Sequence, residues 1–425
     1  DMTVYGKQNN SVMTYGLNWQ HLLGKSGYMN TSIATTIRSY DESLYETERQ
    51  LLQLENQSEE RSTKVRTVAS IKHNSRFSSE FGVELKYTKD QFKNAYHNIR
   101  NPEGCDLDFS IKNNNDHYIL SHFYELNSNI TQDLNINFGF RNDYFSQSDR
   151  LTVSPRVQAG YRLSSESAFS LSASFYHQSV PSLLAVQNDH LKPMYSVHYT
   201  AGFTHHLDED EKVSIEVYQK ENYNYPMDPS QPKAFLIDET ISDNTFYTSL
   251  NGLISEGKGR TCGIELLYQK KFKEGFYGLI SGSIFKSEYQ DLNGTWRNRL
   301  VDNQFVFNAE GGFKPNDKWE LSGRFMFAGG TPYAPFDKQT SIDNGFGVKD
   351  DAHYLKKRNS DYHTLNLRVD RHFNFEQTSL IAYISLWNVY NQNNITSRIW
   401  NSEQQKVVEI SQWGFLPIFG FEYEF

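Results

Sequence analysis

Three things are scarce in this sequence, and each scarcity closes off a class of protein. No run of eighteen or more apolar residues occurs, so no segment qualifies as a membrane-crossing helix. Cysteine is nearly absent: Cys105 and Cys262 are too few for a disulfide framework or a structural zinc site, though enough for one bridge between loops. Positive charge is in deficit. Against 51 Asp and Glu stand 42 Lys and Arg, leaving a formal net charge of −9. Nucleic-acid binding needs a basic face, so no nucleic-acid partner is expected. Prolines and glycines are spread along the 425 residues, with no Pro/Ser-rich linker or composition shift to mark separate domains. A soluble chain of this length ordinarily divides into two or three. What abounds is aromatic: 27 Tyr, 29 Phe and 6 Trp, on a chain only 37% hydrophobic with mean hydropathy −0.67. Alternating strands around a wet interior give that combination.

The last stretch, Trp413 to Phe425, states the pattern most plainly. Phe415, Phe419, Phe421, Tyr423 and Phe425 share one parity, and Glu422 and Glu424 share the other. In a strand, neighbouring side chains point to opposite faces, so one face is aromatic and the other carries carboxylates. An outer-membrane strand needs this, with lipid outside and a wet lumen inside. The terminal Phe, with Tyr two before it and Phe two before that, also resembles the sorting signal of bacterial outer-membrane barrels.

The same rhythm runs through the chain. Phe81, Val83, Leu85 and Tyr87 alternate with Gly82, Glu84, Lys86 and Thr88, and Leu134, Ile136, Phe138 and Phe140 with Asn135, Asn137, Gly139 and Arg141. Tight turns such as 74–75, 164–167, 208–211, 273–275 and 315–318 join hairpins. Longer connections over about 40–63, 89–114, 146–152, 178–194, 224–259, 290–303, 329–361 and 391–413 separate them. Within 40–63, Leu44, Leu51, Leu52 and Leu54 in a charged setting predict a short helix. Short turns at one end and long loops at the other predict an antiparallel transmembrane β-barrel, an all-β fold with long loops extracellular and a periplasmic C-terminus. Eight hairpins and one terminal strand make about seventeen strands. Single-chain bacterial barrels have even counts, and an unclosed sheet leaves edges that lipid cannot satisfy. The first residue is Asp1, and no signal peptide precedes it; the chain is expected to be a piece of something longer.

Several phrases then stand out in order: Ser154-Pro155-Arg156 with Ala159-Gly160-Tyr161-Arg162, Asn188 to Pro193, Gly257-Lys258-Gly259-Arg260 through Leu266, Gly329-Gly330-Thr331-Pro332-Tyr333, Asp361 to Arg368, and Trp387-Asn388-Val389-Tyr390-Asn391. In this order and spacing they resemble the C-terminal barrel of TonB-dependent outer-membrane receptors, in a style similar to those of Bacteroidota. The likeness in motif spans Ser154 to Phe425, while the earlier segments agree in rhythm only. It implies a 22-stranded barrel filled by an N-terminal plug. Residues 1–425 would then be barrel domain, lacking the plug, the first strands and the segment that contacts TonB. The implied function is TonB-coupled import of a scarce nutrient across the outer membrane, with no reaction catalysed and no cofactor. A passive porin and a surface-binding barrel without import are the alternatives. Implied partners are membrane lipid and lipopolysaccharide, the plug, the inner-membrane TonB complex and a nutrient ligand. Iron chelates, cobalamin, glycans and peptides all remain open as that ligand.

Other chemistry fails on spacing. Gly24-Lys25-Ser26 is no phosphate loop, because Trp19 stands where that motif needs glycine. His205-His206 beside Asp208 to Glu211 reads as a solvated turn, and no metal site is expected. The interior charges, among them Glu84, Arg141, Glu320, Arg324, Arg368, Asp370 and Glu422, read as a network lining a lumen. Candidate ligand contacts are the aromatics of the long loops. Tyr223, Tyr225, Phe235, Phe246 and Tyr247 lie between Tyr223 and Gly259, with Trp296, Tyr333 and Trp400 on other loops. Rings among polar neighbours grip sugars, peptides and chelates; the same rings also serve to pack loops together as a lid.

Overall fold

The computed structural model describes residues 4–46, 50–100, 106–185, 188–238 and 252–425. Its first five strands are long: β1 (Val4–Leu22), β2 (Gly27–Glu46), β3 (Leu52–Lys72), β4 (Phe77–Arg100) and β5 (Asp106–Asn129). Seven of moderate length follow: β6 (Leu134–Phe145), β7 (Arg150–Arg162), β8 (Ser167–Gln178), β9 (Met194–His206), β10 (Glu211–Met227), β11 (Ile254–Lys273) and β12 (Phe276–Gln290). Then come β13 (Trp296–Asn298), β14 (Phe305–Asn316), β15 (Trp319–Ala328), β16 (Pro332–Tyr333) and β17 (Lys357–Arg358). The last are β18 (Tyr362–Asn374), β19 (Ser379–Trp387), β20 (Ile395–Asn401), β21 (Lys406–Ser411) and β22 (Leu416–Glu424). Short helices such as α1 (Ser182–Ala185) and α2 (Lys338–Asn344) sit in loops.

Each long strand pairs antiparallel with the next in sequence, in one 18-stranded sheet whose short member is β13. The seventeen expected strands are therefore the seventeen long ones. The small pairs β16–β17 and β20–β21 stand apart from that sheet. Among the described residues, β1 pairs only with β2 and β22 only with β19, so two edges stay open.

Alternation places apolar side chains outside. Phe419, Phe421 and Tyr423 on β22 are 70%, 78% and 59% exposed, the face expected for lipid. On the other face Glu422 accepts from Arg368, which also grips Asp370. Farther round the wall, Glu84 meets Lys64 and Arg141, and Arg141 reaches Asp143 and Ser121. These interior carboxylates are thus neutralised by arginines and lysines on their own or neighbouring strands. The Tyr383 ring on β19 folds onto the wall. It lies beneath Arg368 at 3.9 Å and over Gly420 of β22, where an added Cβ would come within 2.3 Å of it. An aromatic laid over a strand glycine fills the hole in the ladder.

Two expectations fail. The described residues of 40–63 and 89–114 are mostly strand, not loop or short helix. β2 and β3 pair from Gly27↔Ile71 up to Tyr45↔Leu52, and β4 and β5 continue pairing beyond Tyr96↔Phe109. The cause is solvent. Up to Tyr87 the outward positions of β4 are Phe81, Val83 and Leu85; beyond it they are Lys89, Gln91 and Lys93. A strand that leaves the membrane has water on both sides, so hydrophobic alternation disappears while the ladder continues. About ten residues span the bilayer, whereas β4 and β5 have 24 each. Consequently the outer connections of the first three hairpins shrink to 47–51, 101–105 and 146–149, and only the later ones are long.

Candidate functional site: the mouth of the barrel

The later loops fold on one another and on the projecting wall. Pro226 and Met227 end β10, where irregular pairing lets Tyr225 cross Gly257 of β11. A Cβ on Gly257 would lie 2.7 Å from that of Tyr225, so only glycine permits the crossing. Asp228 then accepts from the Ser230 amide and hydroxyl and turns the chain back. This brings Phe235, 2% exposed, into a stack on Tyr289 (centroids 4.6 Å apart) and edge-on to Tyr225 at 5.1 Å. The Tyr289 hydroxyl donates to the Lys233 carbonyl. Met227, Leu355 and the flanking Ile254 and Leu300 complete this apolar core.

Buried ion pairs lock it. Arg299 forks onto Asp238, with Nη2 2.5 Å from Oδ1, and its guanidinium lies 5.3 Å from the Phe235 ring. Burial works against the Arg299 charge, and the Asp238 carboxylate more than offsets this, so the guanidinium is held above its ordinary range. Burial pushes the Tyr225 phenol up, against the nearby Arg299 charge and with the Asp238 carboxylate. Arg297 holds Asp291, whose other oxygen accepts the amides of Asn293 and Thr295. Arg358 holds Asp302, which also receives the Ser287 amide. Carboxylates so deeply buried persist only when paired and fully bonded.

A second core joins this cap to the wall. Leu184, Ala185 and Leu191 of loop 179–193 pack with Leu236 and Leu253, and against Tyr96 and Ile111 of β4 and β5. Asn188 fastens it by donating to the Leu184 carbonyl and accepting the Leu253 amide. A third cluster joins loop 329–361 to the β20–β21 hairpin. There Arg398 stacks on Tyr333 at 4.2 Å and bonds Glu409, Lys349 sits 3.9 Å over Phe336, and Phe336 meets Trp400.

With a lipid-faced meander, a charged inner wall and a folded cap, the comparisons agree. Residues 1–393 match the family described as TonB dependent receptor-like, beta-barrel. The chain belongs to this family. No curated relative matches. Among solved structures, the ferripyoverdine receptor of the Pseudomonas aeruginosa outer membrane superposes with TM-score 0.70 at 14% identity, over 97% of this chain and 56% of its own. The ferric yersiniabactin uptake receptor FyuA from Yersinia pestis gives 0.68 at 15%, over 98% and 61%. The receptor in the FpvAI–pyocin S2 complex gives 0.71 at 15%, over 97% and 54%. The chain thus spans little more than half the length of these receptors, and at such identity the likeness is one of fold.

The eight candidate contacts of this receptor barrel fall in different places. Tyr225 and Phe235 come together, inside the cap's core rather than on its surface. Tyr223 stacks on Tyr195 at 4.7 Å and donates to Glu221. Tyr333 and Trp400 share the third cluster, half-buried between two loops. Trp296 lies apart: it stacks on Arg260 at 4.1 Å, on the face that carries Ile264 and Ile284. Phe246 and Tyr247, like Cys105, lie outside the described residues, and Cys262 is an exposed free thiol. At the turn after His205-His206, Asp208 caps the amides of Asp210 and Glu211, and Lys273 bridges Asp208 and Asp210. Sequence reasoning missed Asp291, Asp302, Arg299 and Arg358, and with Arg299 the partner of Asp238. Their only signal was carboxylates in turn contexts near isolated arginines.

Proposed function

We propose that residues 1–425 form the β-barrel domain of a Bacteroidota-like outer-membrane receptor that imports a scarce nutrient by TonB-coupled active transport, without catalysing a reaction. Family membership carries this reading, and the cap supports it: a porin has no need to build a buried, ion-paired structure over its mouth. The long-loop end is extracellular and the C-terminus periplasmic. The two open sheet edges would be closed by further strands of a longer chain, since lipid satisfies no backbone group. A plug inside the lumen, the TonB complex beneath it, and lipid and lipopolysaccharide outside are the partners.

The ferripyoverdine and ferric yersiniabactin receptors among its structural neighbours favour a ferric chelate among the open ligand classes. Contact would fall on Tyr223, Tyr333 and Trp400 at the rim. Tyr225 and Phe235 shape the surface from beneath, Phe246 and Tyr247 continue the same loop, and Trp296 anchors the rim at the lipid boundary. Two measurements on the full-length receptor test this. Uptake of a ferric chelate should cease in cells lacking TonB, and the purified receptor should not conduct steadily in planar bilayers. Steady conductance with TonB-independent uptake would make it a porin.

A further inference from the structure

One group of buried polar atoms on the inner wall is unexplained by the cap or the charge network. Thr88 and His117 are paired across β4 and β5, and Asp90 is two residues on from Thr88, on the same face. All three are buried, at 2%, 7% and 0% exposure. The Thr88 hydroxyl, both Asp90 carboxylate oxygens and His117 Nδ1 have no hydrogen-bond partner among the described residues. The Ser182 hydroxyl at the start of α1 bears on the carboxylate without reaching hydrogen-bond geometry. Directly opposite Asp90 on β3, Glu60 is occupied by Arg38 at 2.8 Å and does not relieve it. Four orphaned atoms from three side chains thus lie on one inner face of the β4–β5 pair, level with the Tyr87–Tyr118 pair. A buried carboxylate with no donor is among the costliest arrangements in a protein, and such groups call for an unseen ion or water.

We propose that Thr88, Asp90 and His117 hold one divalent transition-metal cation. His117 Nδ1 and the nearer Asp90 oxygen are 3.8 Å apart. That is too far for a hydrogen bond, yet within the span of two bonds of about 2.0–2.2 Å to a shared ion. An imidazole nitrogen with a carboxylate selects zinc-like cations over calcium or magnesium, which take oxygen ligands. Thr88 supplies a third, weak oxygen, and water completes the shell. The ion would join β4 to β5 where loop 179–193 rests on them, fixing the cap to the projecting wall.

Zinc itself is the probe. The full-length receptor, purified in detergent and stripped with chelator, should take up one equivalent in competition with a chromophoric chelator. Asp90→Asn and His117→Ala should each weaken uptake at least about 100-fold, more than loss of an outer-shell partner costs. Thr88→Val should weaken it less, and replacing His205 and His206 should leave it unchanged. Should either main variant fail to fold, cobalt in the unaltered receptor decides, with X-ray absorption showing one imidazole among oxygen ligands. Failure to bind one equivalent, undiminished binding by both variants, or a purely hydrated cobalt spectrum would overturn the proposal and leave an ordered water in its place.

Discussion

The two halves of the mouth reach the same height by different means. In the first, β2 to β5 continue upward as a ladder, with polar side chains on the outer face and a few apolar ones, such as Tyr96 and Ile111, on the inner. In the second, β19 and β22 stop after 9 residues, and it is the loops after β10, β12 and β15 that build a core of their own. A ladder is held by backbone hydrogen bonds spread along its length, and no one side chain decides it. A folded loop depends on a few buried residues. The first half should therefore tolerate substitution, and the second should fail at named points.

The largest effect is expected from Asp238→Ala, which leaves Arg299 buried without its partner. Loss of a buried pair of this kind costs about 3–5 kcal/mol, enough to expose 228–238 and 291–304 to protease while the barrel stays heat-resistant. Phe235→Ala should cost a similar about 3–5 kcal/mol through the cavity it leaves among Tyr225, Tyr289 and Met227, read in the same assay. Neither should change protection of β2 and β3, where Arg38→Ala removes an exposed pair worth about 1 kcal/mol at most. Gly420→Ala tests the membrane wall. It drives a Cβ into the Tyr383 ring and should lower thermal stability of the whole barrel by about 1–3 kcal/mol, leaving the cap intact. Smallest is a pH effect. The His353 imidazole and the amides of Ala352 and His353 hold the Asp350 carboxyl below its ordinary range. Its contribution is present above the ordinary carboxylate value and is lost as pH falls through the depressed one. Proton exchange of the 351–353 turn should thus quicken only in acid, and Asp350→Asn should flatten that dependence.

What was legible in the sequence follows the same division. The lipid-facing alternation of β4, β6 and β22 is written at period two because one side meets lipid and the other water. Both the fold class and the seventeen strands could be read from it. Above the membrane that contrast ends, which is why 40–63 and 89–114 were misread as loops. The cap was half legible. The prolines and aromatics of 224–259 marked a loop with apolar surface to bury, yet nothing local says that Phe235 turns inward to Tyr289, a residue 54 positions on. Asp238 with Arg299, and Thr88 and Asp90 with His117, are likewise pairs that only the folded chain brings together.

Hydrogen exchange of the full-length receptor, followed segment by segment with and without Asp238→Ala, tests the two-part mouth most directly. Segments 188–192, 227–238, 288–303 and 354–358 should be slow in the unaltered protein and quicken together in the variant, while 30–45 and 52–70 keep their rates. If the four cap segments exchange as fast as the turns at 130–133 and 163–166 in the unaltered protein, or quicken one without the others, the loops do not form a single folded cap and the account is wrong.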